Sequence, residues 1–282
     1  MRFFLASLGI VSLILLNQSA SATSANISVQ RDIAYGANPA QRMDVYLPQH
    51  LRGAPVVFMV HGGAWRIGDK ASAGVVGNKA ARWLPKGIIV VSVNYRMLPE
   101  ADPLTQANDV ALALAKAQGL ATSWGGDPSR FVLMGHSAGA HLVALLATAP
   151  DIVKQQGAKP WLGTILLDSA ALDVMQIMAS KHLRLYDQAF GADPDYWRAA
   201  SPLHRLSGLS DKPAPLLAVC STQRNDACPQ AHGFVAKASS LGARYSVLPV
   251  DLSHREINHA LGLSSAYTDS VESFIRSLGI TL

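Results

Sequence analysis

The stretch that decides the fold of this 282-residue chain is Leu133-Met134-Gly135-His136-Ser137-Ala138-Gly139-Ala140-His141. The apolar residues 131–134 before it predict a buried strand, and the small residues 138–148 predict a helix. Gly135 and Gly139 flank Ser137 at two residues' distance, so no Cβ atom obstructs a close crossing of strand and helix. The pattern therefore predicts a sharp strand-to-helix turn, a nucleophile elbow, that exposes the hydroxyl of Ser137.

A second apolar run, residues 55–60, ends in His61-Gly62-Gly63-Ala64-Trp65. Consecutive glycines after a buried strand free backbone N–H groups to point into a cleft, where they can stabilise an oxyanion. We expect the N–H groups of Gly62, Gly63 and Ala138 to have this role. The alternative is a glycine-rich turn that binds nothing. The side chain of His61 is expected to brace the loop rather than to act as a base.

A serine nucleophile needs a general base, and nine histidines are available. In chains with an elbow of this kind, the serine comes first in the sequence, the acid second and the histidine third. The base is therefore expected after the last predicted strand, residues 245–250. His254 follows that strand and is the predicted base, with His259 as the alternative. His136 and His141 lie on or beside the elbow helix, and we expect them to pack there.

The acid is expected after the preceding strand, residues 214–220. Asp226 follows that strand and is the predicted partner of the base. Asp168 and Asp173 lie one strand earlier and are interpreted as turn or helix-capping carboxylates. Asp251 is too close in sequence to fold back onto its own histidine.

Taken together, these segments resemble the hormone-sensitive-lipase-like branch of the α/β-hydrolases, with its small bacterial carboxylesterases, acetylxylan and feruloyl esterases, and kynurenine formamidases. The matching segments are residues 61–65, 94–96 with 99–100, 125–128, 135–141, 201–203 and 253–258. The resemblance implies a Ser137, Asp226 and His254 triad with Gly62, Gly63 and Ala138 as oxyanion donors. Ala64 departs from esterases that have a third glycine there, which leaves a further oxyanion donor in question.

Alternating strand and helix signals predict the α/β class: an α/β-hydrolase fold with a mostly parallel eight-stranded sheet flanked by helices. The segment 172–205 interrupts this alternation and is rich in large apolar side chains, so it either forms a short lid over the cleft or packs in the core. If the segment forms a lid, the predicted pocket residues are Met175, Met178 and Tyr186 from this segment, together with Trp65 from the glycine-rich loop.

The first residues carry Arg2, an apolar run and then small residues, a pattern typical of a signal peptide. We predict a signal peptide over residues 1–25 and one hydrolase domain over 26–282, with an uncleaved anchor as the alternative. Export to the periplasm or medium permits a disulfide, and the only two cysteines, Cys220 and Cys228, bracket Asp226. We expect them to form a bridge rather than to remain free thiols.

The formal net charge is +5, but the lysines and arginines are scattered along the sequence and form no basic run of five residues. A nucleic-acid partner is therefore not expected. No metal motif occurs, and we predict no metal and no cofactor. After signal cleavage we expect no stable membrane insertion, and the oligomeric state stays open.

The expected activity is hydrolysis of small-molecule carboxylic esters with a small or medium acyl group, through an acyl-enzyme. One alternative is an arylformamidase acting on an N-formylkynurenine-type amide. Another is a binding protein that has the hydrolase fold but no turnover.

Overall fold

Eight strands form one sheet in the order β1-β2-β4-β3-β5-β6-β7-β8. The computed structural model describes residues 28–49, 52–206 and 213–282. The strands are β1 (Ser28–Ala34), β2 (Arg42–Leu47), β3 (Ala54–Val60), β4 (Ile89–Val93), β5 (Gly126–His136), β6 (Gly163–Leu167), β7 (Leu216–Ser221) and β8 (Tyr245–Val250). Strand β2 pairs antiparallel with β1 and β4, and the pairs from β4 through β8 are parallel. The predicted mostly parallel, eight-stranded sheet is confirmed.

Helices cover both faces of this sheet. They are α1 (Ala73–Trp83), α2 (Pro103–Leu120), α3 (Ala138–Thr148), α4 (Pro150–Gln155), α5 (Val174–Met178), α6 (Arg184–Phe190), α7 (Pro194–Ala199), α8 (Pro202–Arg205), α9 (Ala227–Ser240), α10 (His254–His259) and α11 (Ala266–Ser277). In the part of the chain that the structure describes, no helix combines the length and the apolar character needed to cross a membrane.

The core has two layers because the central strands bury side chains on both faces. Val56, Phe58 and Val60 of β3 pack in one cluster with α2 and α3, while Val57 and Met59 pack in the other with α1 and α11. Burial on both sides explains why these strands are continuous apolar runs in the sequence.

The close crossing predicted at the elbow is present. A Cβ atom built on Gly135 would lie 2.2 Å from the carbonyl oxygen of Gly139, and one built on Gly139 would lie 2.4 Å from that of Val60. Only glycine fits at these two positions, and this is why α3 can begin directly above the end of β5.

The segment after β6 contains the four short helices α5 to α8. Its large side chains are mostly buried in the core cluster, including Met178, Tyr186 and Phe190, so core packing accounts for most of the segment. The disulfide joins Cys220, in β7, to Cys228, in the first turn of α9, as predicted. The predicted signal peptide lies outside the described residues.

Candidate active site

Ser137 occupies a strained backbone conformation between β5 and α3. Its φ of 56° and ψ of −119° lie outside the regions that residues with a side chain usually adopt. The N–H of Ser137 donates to the carbonyl of Leu167 at 2.9 Å, which ties the elbow to the end of β6. The hydroxyl consequently projects into a cleft at the carboxyl edge of the sheet.

His254 is the first residue of α10, and a capping box fixes the start of that helix. The side chain of Ser253 accepts from the N–H of Glu256, and the carboxylate of Glu256 accepts from the N–H of Ser253. The Nε2 atom of His254 lies 3.0 Å from the Oγ of Ser137. The structure thus brings together the two side chains that the sequence analysis paired.

Asp168 is the carboxylate that contacts the imidazole. Its Oδ2 lies 2.6 Å from Nδ1 of His254 and accepts from Nη1 of Arg224 at 2.8 Å, while Oδ1 accepts from the N–H of Ser221 at 2.7 Å. The side chain is fully buried. Burial alone would raise the pKa of Asp168, but these hydrogen bonds outweigh it and hold the pKa below its usual value. Asp168 is therefore ionised and aligned with the ring.

The prediction that Asp226 contacts His254 does not agree with the structure. Asp226 precedes α9, its side chain is 55% exposed, and its carboxylate pairs with Nη2 of Arg224 at 3.1 Å. Ends of adjacent parallel strands lie only about 5 Å apart, so strand order alone does not decide which carboxylate reaches the ring. Asp168 leaves β6 directly at the cleft with a φ of 57°, whereas the longer loop after β7 turns Asp226 outward.

A signal for Asp168 was available in the sequence. It follows the apolar run 165–167 without an intervening residue, as expected of a functional side chain at the carboxyl end of a parallel strand. Interpreting it as a turn or helix-capping carboxylate missed its role, because Asp168 caps none of the described helices and instead accepts from Ser221, Arg224 and His254. Asp173 does cap a helix, accepting from the N–H of Gln176 at the start of α5.

Gly62, Gly63 and Ala138 line the cleft around Ser137. Among the described residues, no hydrogen bond uses their backbone N–H groups. A Cβ atom on Gly62 would lie 2.7 Å from that of Ser137, and Gly63 has a φ of 126° with no room for a side chain. The loop continues with Ala64 at a φ of 51°. Side chains at positions 62 and 63 would collide with their surroundings, so glycine lets the loop backbone lie close to Ser137.

His61 lies behind this loop, as predicted. Its ring stacks on that of Tyr95 with centroids 4.6 Å apart, and the Tyr95 hydroxyl donates to the His61 carbonyl at 2.9 Å. Its Nδ1 lies 2.8 Å from the carbonyl oxygen of Gly62, and burial lowers the pKa of the ring. A neutral, buried ring suits bracing the loop.

His136 and His141 also pack beside the site. Nε2 of His136 donates to the backbone carbonyl of His254 at 2.9 Å, and burial together with the nearby His254 ring lowers the pKa of His136 to about 3. His141 accepts at Nδ1 from the indole N–H of Trp65 at 3.1 Å, and burial lowers its pKa to about 4. Both rings are therefore neutral, and each forms a hydrogen bond between the elbow region and a neighbouring segment. Sequence reasoning missed that His136 anchors His254.

The cleft has a volume of about 770 Å³. Of the predicted pocket residues, Trp65 and Tyr186 line it, together with Leu183 and Leu185 of the same segment. Met175 and Met178 are not among its lining residues, because α5 turns its apolar side to the core, where Met178 is buried. His259 lies on the cleft wall, but the contact to the Ser137 hydroxyl is made by His254.

A second cavity of about 500 Å³ adjoins the cleft behind Tyr186. The two share Ala170, Leu183 and Tyr186, and the second is lined by polar side chains that include Gln176, His182 and Asp226. Asp226 therefore faces a different space from the one that contains Ser137.

Comparisons with known proteins agree with this architecture. The chain is 40% identical over 117 residues to an isoprenylcysteine alpha-carbonyl methylesterase of Arabidopsis thaliana, covering 41% of this chain and 27% of that protein. It is 30% identical over 239 residues to esterase LipQ of Mycobacterium tuberculosis, covering 77% of this chain and 55% of LipQ. The chain thus spans about a quarter to half of the length of these curated relatives.

Among solved structures, esterase B of Lactobacillus Rhamnosis superimposes with a TM-score of 0.72 at 19% identity, over 90% of this chain and 85% of that one. The likeness shows a shared α/β-hydrolase fold. The sequence model of the BD-FAE family matches residues 43–183, half of the chain, a range that includes the glycine loop, the elbow and Asp168. The chain belongs to the BD-FAE family, within the hormone-sensitive-lipase-like α/β-hydrolases.

Proposed function

We propose that this protein is a serine hydrolase that cleaves carboxylic esters through an acyl-enzyme, with Ser137, His254 and Asp168 as its catalytic triad. The observation that carries the proposal is the unbroken series of contacts from the Ser137 hydroxyl through both imidazole nitrogens to Asp168, at 3.0 and 2.6 Å. A hydroxyl, a base and a buried carboxylate in this order are the groups that acyl transfer requires.

The reaction follows from these positions. Ser137 attacks the ester carbonyl while Nε2 of His254 takes its proton, and Nδ1 keeps its own proton because Asp168 accepts it as a hydrogen bond. The imidazolium then gives a proton to the leaving alcohol. Water attacks the acyl-enzyme with the same base, which frees Ser137 and releases the carboxylic acid.

The free N–H groups of Gly62, Gly63 and Ala138 supply the oxyanion hole. Each such donor typically accounts for about 3 to 4 kcal/mol of transition-state stabilisation. Their positions depend on glycine at 62 and 63, where a Cβ atom would collide with Ser137 or with the carbonyl of Ile67. Ala64 does not disturb these two donors, because it lies beyond them in the loop.

The cleft favours a small or medium acyl group. The cleft that contains Ser137 is lined by four large, mainly apolar side chains, those of Trp65, Leu183, Leu185 and Tyr186. Its volume of about 770 Å³ limits the size of the acyl group that it can hold. The names of the relatives, a methylesterase and esterase LipQ, agree with ester substrates. A formamide would use the same machinery, so arylformamidase activity is the second candidate, supported by the resemblance alone.

The test is hydrolysis of p-nitrophenyl acetate, butyrate, octanoate and palmitate by the full chain, beside N-formylkynurenine. We expect the highest kcat/KM at acetate or butyrate, and loss of at least about a thousandfold in Ser137→Ala. Ser169→Ala, which removes a neighbouring cleft hydroxyl, is the matched control and should keep most activity. A serine variant as active as the original protein would refute Ser137 as the nucleophile, and absence of hydrolysis of every substrate by the original protein would favour a binding protein instead.

The disulfide supports the further proposal that the protein is exported, since such bridges persist in oxidising compartments. Fractionation of producing cells, with mass spectrometry of the N-terminus, tests export and the cleavage site together. A full-length chain confined to the cytosol would contradict it.

A further inference from the structure

Arg224 joins two carboxylates to the catalytic ring, and the activity proposed above does not require it. Its Nη1 donates to Oδ2 of Asp168 at 2.8 Å and lies 3.0 Å from Nδ1 of His254. Its Nη2 pairs with Asp226 at 3.1 Å. The charges therefore alternate along one path from His254, as an imidazolium, through Asp168 and Arg224 to Asp226.

We propose that Arg224 and Asp226 form an electrostatic relay that sets the pH range in which His254 is a base. The inference rests on the proposed function, and both are positioning residues that act through Asp168. Arg224 opposes protonation of the ring because it is a cation beside Nδ1 and because it compensates the charge of Asp168. Asp226 weakens this effect of Arg224, because its carboxylate partly neutralises the guanidinium charge on the side away from His254.

Burial makes these charges effective. The Asp168 side chain is fully buried and that of Arg224 is only 25% exposed, so solvent screens their interaction little. Asp226 is 55% exposed and its influence is correspondingly weaker. The loop that carries both residues is closed at its two ends by the disulfide between Cys220 and Cys228, which limits how far Arg224 can move from the ring.

Other ionisable groups face His254 from the surrounding elements. His136 of β5 is neutral, since burial lowers its pKa to about 3. Lys79 of α1 is neutral above a pKa of about 7, to which burial lowers it. Glu256 is bound to Ser253 at the start of α10. The remaining charged or ionisable groups that line the cleft are His61, Asp69, Tyr186, Arg255 and His259. Burial lowers the pKa of His61 and raises the pKa of Tyr186, so both side chains are neutral. Within the part of the chain that the structure describes, Arg224 is the cation that lies within 3.0 Å of the ring.

The relay predicts shifts of opposite sign in the acid limb of the kcat/KM profile, which reports protonation of the base in the free enzyme. Arg224→Gln removes the opposing cation, the imidazolium becomes more stable, and the limb moves up by about one pH unit. Asp226→Asn leaves Arg224 uncompensated, and the limb moves down by about half a unit. Arg224→Lys restores the charge and should return the limb toward its original position.

The experiment measures kcat/KM for p-nitrophenyl butyrate from pH 4.5 to 9 in the full chain and these variants. Arg255→Gln is the matched control, because it removes an exposed cation next to His254 in the sequence and should shift the limb by less than about 0.3 unit. Shifts of opposite sign support the relay. A limb that stays in place in both variants, or moves the same way in both, overturns it even when catalysis falls.

Two outcomes separate this inference from the proposed function. If Arg224→Gln does not fold, the exposed Asp226→Asn variant still decides, since a limb that stays or rises in it contradicts the relay. If Ser137→Ala retains hydrolysis, the proposed catalytic serine fails instead. Normal Ser137 dependence with no shift in either relay variant refutes the relay alone.

Discussion

Asp168→Asn is the substitution that tests the site most directly. Asparagine has nearly the same shape, but its single oxygen cannot replace both carboxylate oxygens, of which one accepts from Ser221 and the other from Arg224. It also carries no charge to stabilise the imidazolium and can orient the ring wrongly. The variant therefore isolates the charge and the acceptor role of the carboxylate that the structure places on His254.

The magnitude follows from the geometry. At the 2.6 Å separation of Nδ1 and Oδ2, an effective dielectric constant of about 20 gives an attraction of about 6 kcal/mol. Arg224 already compensates part of that charge at 2.8 Å, so a smaller fraction is lost. We expect kcat to fall by about three to four powers of ten, that is by about 4 to 5.5 kcal/mol in activation free energy.

The assay is steady-state hydrolysis of p-nitrophenyl butyrate on the pH plateau, with circular dichroism to confirm folding. Asp226→Asn is the matched control, because it makes the same change one strand away on a carboxylate that does not touch the ring. It should stay within about threefold of the original kcat at the plateau. A thousandfold loss in Asp226→Asn, with near-normal activity in Asp168→Asn, would refute the assignment of the acid.

Three further outcomes are expected. His136→Leu should lower kcat about tenfold without unfolding the protein, because the carbonyl of His254 loses its donor, and an unchanged kcat would contradict this anchoring role. Replacing Cys220 and Cys228 together by serine should cost about 2.5 kcal/mol of unfolding free energy in urea titrations, since the unfolded chain regains loop entropy, whereas a loss below about 0.5 kcal/mol would argue against the loop-entropy account. Burial lowers the pKa of Lys79 from 10.5 to about 7, so between these values the unfolded chain binds a proton that the folded chain does not, and stability should rise with pH by up to about 1.4 kcal/mol per unit. Lys79→Met should remove that rise, as measured by urea unfolding at pH 7.5 and 9.5, and an identical slope in the variant would exclude Lys79 as its source.

The sequence predicted the central architecture well because the decisive signals are local. Apolar runs such as 55–60 mark strands that are buried on both faces, and the runs 55–60, 131–134, 214–220 and 245–250 all form the predicted strands. The spacing of glycines around Ser137 reports a steric requirement that a Cβ atom would violate in any similar crossing. Pairing of Ser137 with His254 also followed, since both lie at the carboxyl ends of parallel strands.

Local signals marked two possible carboxylate partners for His254 and did not decide between them. Asp168 and Asp226 each follow a buried strand, and the choice between them depends on how two loops leave the sheet and where Arg224 lies. The same holds for the pocket, where the large apolar side chains of the segment 172–205 made Met175 and Met178 equal candidates with Tyr186. Which side of a short helix faces the cleft is a property of its packing against distant elements.

Residue order and composition by themselves determined where strands, the elbow and the glycine loop lie, because backbone sterics and the burial of apolar side chains act over a few neighbouring residues. Only the tertiary structure decided that Asp168 contacts His254, that His136 anchors it and that Arg224 lies beside both. Contacts between residues separated by 30 to 118 positions depend on angstrom-scale geometry, which no local pattern encodes.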